Sequence, residues 1–226
     1  MTAPKTQGKK ATSTSSTTSS TRAGTRAGTV ALVGRPNVGK STILNAILGQ
    51  KLAATTHKPQ TTRRALRGVE TRGDAQIVFV DTPGLFRPKK GQSGRLHSFM
   101  IDEAMEAARD VDVLAFVVEA VAGRRGSDAP AALHPADTAA LEQLEKAGAL
   151  HVPVVLVVNK VDTLADKRAL LPLLDAWAKR YPFASLVPIS AAKRDGVDVL
   201  VDDLAARMPD GPFLFEADAL TDAPER

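Results

Sequence analysis

An α/β fold, with a mostly parallel sheet between layers of helices, follows from three features of the sequence. Short apolar runs recur at residues 29–33, 66–70, 76–80, 111–118, 152–158 and 186–189. Segments with helical spacing alternate with them. The later runs are apolar almost throughout, as in strands covered on both faces, where a half-exposed strand would alternate. Six such runs predict a six-stranded sheet with helices on both faces.

In chain order, residues 1–28 carry Ser, Thr, Ala, Gly and five Lys/Arg (Lys5, Lys9, Lys10, Arg22, Arg26) with no acid. Almost nothing in them can be buried, so the composition predicts a disordered basic tail. An acid-free, Ser- and Arg-containing start also resembles an organelle transit peptide, but amphipathic apolar positions are missing. A loose contact with RNA or another anionic surface is a further reading of that charge. Residues 29–209 form the predicted globular domain. The strand at 29–33 ends at Gly34, and Ile43, Leu44, Ile47 and Leu48 then recur at helical spacing until Gly49. A Thr-rich polar stretch occupies 51–64. Residues 104–109 read as helix, 120–135 as a long loop and 136–146 as helix. Leu170, Leu174, Trp177 and Tyr181 share a helical face, with Pro172 starting or kinking that helix. Val197, Leu200, Val201, Leu204 and Met208 predict a last amphipathic helix, and residues 210–226 read as a linker.

Composition narrows the function. With no cysteine, disulfide frameworks and thiolate metal sites are excluded. The four histidines, His57, His97, His134 and His151, have no metal-ligand spacing. The longest apolar run, 152–158, is seven residues, too short to span a membrane. The net charge of +5 equals the charge of the tail, so the remainder is neutral. Within that remainder, residues 51–95 hold ten Lys/Arg against three acids, and residues 96–226 hold 13 against 22. The basic character is therefore a tail plus one middle segment.

Five short motifs carry the chemistry. Gly34-Arg35-Pro36-Asn37-Val38-Gly39-Lys40-Ser41 lies between a predicted strand and a predicted helix. Its glycines let backbone N–H groups turn toward phosphate oxygens. Lys40 supplies charge between β- and γ-phosphates, and Ser41 offers a hydroxyl to Mg²⁺ where a helix begins. Asp81-Thr82-Pro83-Gly84 follows a strand; Asp81 can hold Mg²⁺ through water and the Gly84 N–H can sense a γ-phosphate, although the four residues also make a good β-turn. Thr61 or Thr62 can complete the Mg²⁺ shell from the polar stretch, Thr62 being favoured because it precedes Arg63. Asn159-Lys160-Val161-Asp162 follows a buried-type strand, and its Asp can accept both donors of the guanine N1–H and N2–H₂ edge, which adenine lacks. Ser190-Ala191 follows the last strand, where backbone N–H groups can meet guanine O6. The order of the five predicts a guanine nucleotide, GTP or GDP, with Mg²⁺.

These motifs, with Lys58-Pro59-Gln60-Thr61-Thr62-Arg63 and the stretch from Phe215 through Arg226, resemble the bacterial Era branch of the translation-factor class of small GTPases. The resemblance covers about residues 28–226. It implies a Ras-like, three-layer P-loop NTPase fold and a slow GTPase switch in assembly of the small (30S) ribosomal subunit and processing of 16S rRNA. It also implies a cytoplasmic monomer able to associate peripherally with the inner face of the cell membrane. Leu85 stands after Gly84, where many small GTPases carry a water-orienting glutamine; leucine has no hydrogen bond to offer. Asn37 matches a position that in relatives ligates K⁺, so hydrolysis is expected to run faster in K⁺ than in Na⁺. Lys40, Thr62, Gly84 and Asn37 are thus the expected catalytic set, with Val38, Thr82, Pro83, Lys160 and Val161 beside the nucleotide. Family members continue into an RNA-binding KH domain. The sequence stops at Arg226, where that domain would begin, which suggests a truncated product or fragment and puts direct RNA recognition in doubt. The competing readings are a nucleotide-dependent scaffold with little hydrolysis and a P-loop kinase or ATPase. Asp162 argues against the second, and the linker argues against relatives that modify tRNA or assemble the large subunit.

Overall fold

The structure, a computed structural model, describes residues 24–49, 66–80, 111–121, 133–146 and 148–215. Six strands form one sheet in the order β2-β3-β1-β4-β5-β6. They are β1 (Arg26–Val33), β2 (Leu66–Arg72), β3 (Ala75–Val80), β4 (Val113–Glu119), β5 (Val154–Asn159) and β6 (Ser185–Pro188). The pairs β1–β3, β1–β4, β4–β5 and β5–β6 are parallel, and β2 runs antiparallel to β3 across a two-residue turn at 73–74. The described α-helices are α1 (Lys40–Leu48), α2 (Pro135–Lys146), α3 (Leu170–Arg180) and α4 (Val197–Ala206). None is long and apolar enough to cross a membrane.

The apolar strands bury both faces. In β4, Val113, Ala115 and Val117 pack with β1, β3 and β5 residues against Ile43 and Ile47 of α1 and Leu200 and Leu204 of α4. Leu114, Phe116 and Val118 point the other way, against Leu141 and Leu144 of α2 and Leu173 and Trp177 of α3. Trp177 meets Phe116 and Phe183 edge-on, each at 6.1 Å between ring centroids.

Several boundaries differ from the sequence reading. β1 starts at Arg26, so residues 26–28, assigned to the polar tail, are sheet. Non-local partners decide this: Arg26 pairs with Asp74, and Ala27 donates its N–H to the Pro209 carbonyl. Residues 111, 112, 152 and 153 precede β4 and β5, and Ile189 lies just past β6. Pro172 is the third residue of α3, within the first turn, where its missing N–H costs nothing. Leu173 and Trp177 are the buried pair of α3, while Tyr181 is its C-cap. All five residues of the last predicted stripe are buried, although Met208 lies beyond the end of α4. The helix predicted at 104–109, the Thr-rich stretch at 51–64 and most of the loop at 120–135 lie outside the described residues.

The start of the expected linker folds back on the sheet. Gly211 donates its N–H to Thr25, whose hydroxyl returns a bond to the Gly211 carbonyl. The buried Gln76 amide holds both the N–H and the C=O of Phe215, each at 2.9 Å. This clasp sits where β1 and β3 begin, opposite the sheet edge that carries the motifs.

Candidate functional site

Parallel strands bring their C-terminal ends to one edge, and in open α/β sheets that edge holds the ligand. Gly34 follows β1, Asn159 ends β5 beside Glu119 of β4, and Ser190 comes two residues after β6. Val80, the last residue of β3, pairs with Ala31 of β1. Topology thus gathers motifs separated by more than a hundred residues in sequence.

The two phosphate-loop glycines are required by contacts that sequence reading did not foresee. A Cβ on Gly34 would stand 2.2 Å from the Val117 carbonyl oxygen, and a Cβ on Gly39 would stand 2.2 Å from Asn159 Nδ2. Gly39 also has a φ of 104°. Asn37 is left-handed too, with φ 66°, a conformation Asn tolerates better than most residues. Pro36 and Asn37 are exposed and Val38 is fully buried, so the loop is anchored at Val38 and open at its tip. Ser41 is exposed in the first turn of α1. Lys40 directs its ammonium at the carbonyls of Gly34 and Arg35. That cradle of backbone around a lysine, at the start of a nine-residue helix, fits an anionic phosphate chain.

The segment Asn159–Asp162, expected to read the base, is fixed by its own hydrogen bonds. Asn159 is buried; its Nδ2 donates to the Val38 carbonyl at 2.8 Å, and its Oδ1 accepts from the Ala191 N–H at 3.1 Å. The side chain therefore joins the phosphate loop to the Ser190-Ala191 turn. Lys160 is left-handed, with φ 64°, and its ammonium lies 3.1 Å from Glu119 Oε1. Val161 and Asp162 belong to a short 3₁₀ turn. Ser190 Oγ donates to Asp162 Oδ1 at 2.7 Å, and this bond holds the Asp162 carboxyl below the usual range, with the Lys193 ammonium adding to the effect. Asp162 is thus ionised, half-held and open toward solvent, ready to accept a pair of donors. The Ser190 N–H already donates to Asp195 and the Ala191 N–H to Asn159, so a guanine O6 at this turn must share the Ala191 N–H or take a neighbouring one.

Thr61, Thr62, Asp81, Thr82, Pro83, Gly84 and Leu85 lie outside the described residues. Of the expected magnesium ligands, the structure describes only Ser41; among the described residues no cluster of His, Cys, Asp or Glu suggests another metal site. Sequence reading gave no part to Asp137, Glu119 or Lys193. Asp137 stands in the first turn of α2 and Glu119 ends β4, positions where an acid is ordinary and carries no functional signal in the sequence. Asp137 is buried and bonds Arg35, 102 residues away, a distance across which no local spacing carries a signal.

Residues 29–160, more than half of the chain, match the 50S ribosome-binding GTPase family. GTPase Era of Geobacter metallireducens is 44% identical over 197 residues, which cover 87% of this chain and 60% of that relative. A solved structure of Era in complex with MgGDPNP and nucleotides 1506–1542 of 16S ribosomal RNA aligns with a TM-score of 0.63 at 38% identity, covering 88% of this chain and 63% of that one. A point variant of Aquifex aeolicus Era bound to GDP·AlF4⁻ aligns with a TM-score of 0.62 at 39% identity, covering 88% and 62%. The chain thus spans about three fifths of the length of these relatives. The sheet order, the phosphate loop and the preset Asp162 agree with these matches: the chain belongs to the 50S ribosome-binding GTPase family, and its G domain is of the Era type.

Proposed function

We propose that this chain binds GTP with Mg²⁺ and hydrolyses it to GDP and phosphate, as a switch acting on the small ribosomal subunit. The observation that carries the nucleotide reading is Asp162, held ionised by Ser190 beside an Asn159 that bolts the base-reading segment to the phosphate loop. Ser41, Thr62 and Asp81 would hold magnesium, and Asn37 potassium. These cations would supply positive charge against the phosphates as the water oxygen bonds to the γ-phosphorus and the bond to the bridging oxygen breaks. Lys40 must leave the carbonyls of Gly34 and Arg35 to reach those phosphates. Leu85 cannot orient the water, so slow intrinsic turnover, faster in K⁺, is the expected behaviour.

The nucleotide reading is tested by titrating GDP, ADP and XDP against the protein and Asp162→Asn. GDP should bind the parent at least about tenfold tighter than ADP, and the variant should turn toward XDP. Equal affinity for GDP and ADP defeats the reading. Single-turnover phosphate release in K⁺ and in Na⁺ tests the chemistry: binding without release in either salt leaves a scaffold, and equal rates remove the role of Asn37.

The small-subunit target is supported by the relative solved with a 16S fragment, and by the identity to Era proteins, which runs well past residue 160 where the broader family match ends. Stimulation of hydrolysis by purified 30S subunits, with 50S subunits as the paired control, tests it. Stimulation by 50S alone, or by neither, counts against the small subunit.

A further inference from the structure

The phosphate loop and the base-reading segment are joined a second time, by charges that the five motifs do not include. Asp137, the third residue of α2, is 1% exposed. Its Oδ1 accepts from Arg35 Nε at 2.7 Å, and its Oδ2 has no hydrogen-bond partner among the described residues. Arg35 Nη2 lies 3.7 Å from Glu119 Oε2 at the end of β4. Glu119 Oε1 lies 3.1 Å from Lys160 Nζ. Signs alternate along Asp137, Arg35, Glu119 and Lys160. The chain of contacts runs from α2 through the phosphate loop and β4 to the segment that carries Asp162.

Stability alone does not account for the Asp137 end. A carboxylate buried with one oxygen unpaired loses hydration that a single guanidinium contact repays poorly, and replacing such a pair is often neutral or stabilising for the fold. Burial accordingly pushes the Asp137 carboxyl up, and the Arg35 guanidinium opposes this only in part. What the pair does secure is geometry. The Arg35 side chain is fixed from α2, and the Arg35 carbonyl is one of the two oxygens that hold Lys40. Exposed, flexible partners would not fix that geometry.

We propose that Asp137 is a positioning residue: through Arg35 it sets the first turn of the phosphate loop, and through Arg35, Glu119 and Lys160 it holds that loop in register with the guanine-reading segment. The inference rests on the guanine-nucleotide reading above. Asp137 touches no nucleotide; its effect is on the residues that do.

A double-mutant cycle on the full chain tests this, with Asp137→Asn, Arg35→Gln and the pair together, read by stopped-flow release of fluorescent GDP and by thermal unfolding of the nucleotide-free protein. Each single change should speed GDP release by about fivefold or more, and the double should match the faster single within about twofold, because both break one contact. The nucleotide-free melting temperature of Asp137→Asn should hold or rise. Release within twofold of the parent, multiplied effects in the double, or faster release only alongside a fall in that melting temperature would overturn the proposal. Should the buried variants fail to fold, Glu119→Gln, at the solvent-facing link, carries the test: GDP release should again speed up, and an unchanged rate overturns the coupling to Lys160. If the parent itself binds no guanine nucleotide, the functional reading falls and takes this inference with it; if the parent binds and the variants equal it, positioning alone fails.

Discussion

The two halves of the nucleotide site differ in how finished they are without a nucleotide. In the guanine half, Asn159 has both of its polar atoms engaged and Ser190 already grips one oxygen of Asp162. The Asp162 acceptor is thus already set for a base, and only O6 has to share the Ala191 N–H or take a neighbouring one. In the phosphate half, the Lys40 ammonium is turned onto the carbonyls of Gly34 and Arg35, so binding must break those contacts first. Base selection is preorganised and gives specificity at little reorganisation cost, whereas the phosphate half rearranges to meet its ligand. A switch needs that division: the base is the same in GTP and GDP, and the phosphates are what change.

The largest expected effect comes from removing the bolt between the halves. Asn159→Ala strands the buried Val38 carbonyl and Ala191 N–H, at about 1–3 kcal/mol each. Denaturant unfolding should show a loss of about 2–6 kcal/mol, with GDP binding lost in parallel. A loss confined to GDP affinity, with stability intact, would mean that the halves are independent.

Next is Lys40→Ala, which removes a charge that must leave its carbonyls to act. Nucleotide affinity should fall by about 100-fold, or about 2.7 kcal/mol, by calorimetric titration. Unfolding of the nucleotide-free protein should change far less than affinity does, because the contacts to the Gly34 and Arg35 carbonyls are only partly buried. A large loss of stability would mean that the phosphate half is as preset as the guanine half.

The smallest effect concerns pH. Asp162 is held below the ordinary carboxylate range, so its ionised form is favoured when folded. Its contribution is present above the ordinary value of 3.8 and fades only as pH falls through the depressed one. Preference for GDP over ADP should therefore stay level from about pH 8 to 5, measured by competition binding. Asp137 carries the opposite sign. Its raised pKa makes the charged form a burden on the fold above that value, relieved as pH falls through it toward 3.8. Any stability gained by Asp137→Asn at neutral pH should shrink on acidification, and a gain that grows would reverse the assignment.

The elements most legible in the sequence are those with local causes. The apolar runs at 76–80 and 186–189 carry their burial in their own spacing and lie within a residue of where the structure has them, and the stripe from Val197 to Met208 is buried throughout although its helix ends at Ala206. The first strand reads three residues short because Arg26 and Ala27 are ordered by Asp74 and Pro209, and nothing in a Gly-, Ala- and Arg-containing stretch announces such partners. In the site, Gly34, Lys40, Asn159, Asp162 and Ser190 are legible because phosphate and guanine chemistry fix their type and order. The tasks of Gly39 and Asn159 are not: the glycine makes room for the asparagine amide, which reaches across 121 residues to the Val38 carbonyl.

The sequence alone determined the alternation of strands and helices, the phosphate-loop motif and Asp162 as the residue proposed to read guanine, because local periodicity and ligand chemistry constrain each. Only the tertiary structure decided which strands neighbour each other, that the residues after Pro209 clasp the base of β1 and β3, and that Asp137 stands behind Arg35. Those contacts join residues far apart in the chain, and the packing of a helix on a sheet, which no local pattern encodes, brings their side chains together.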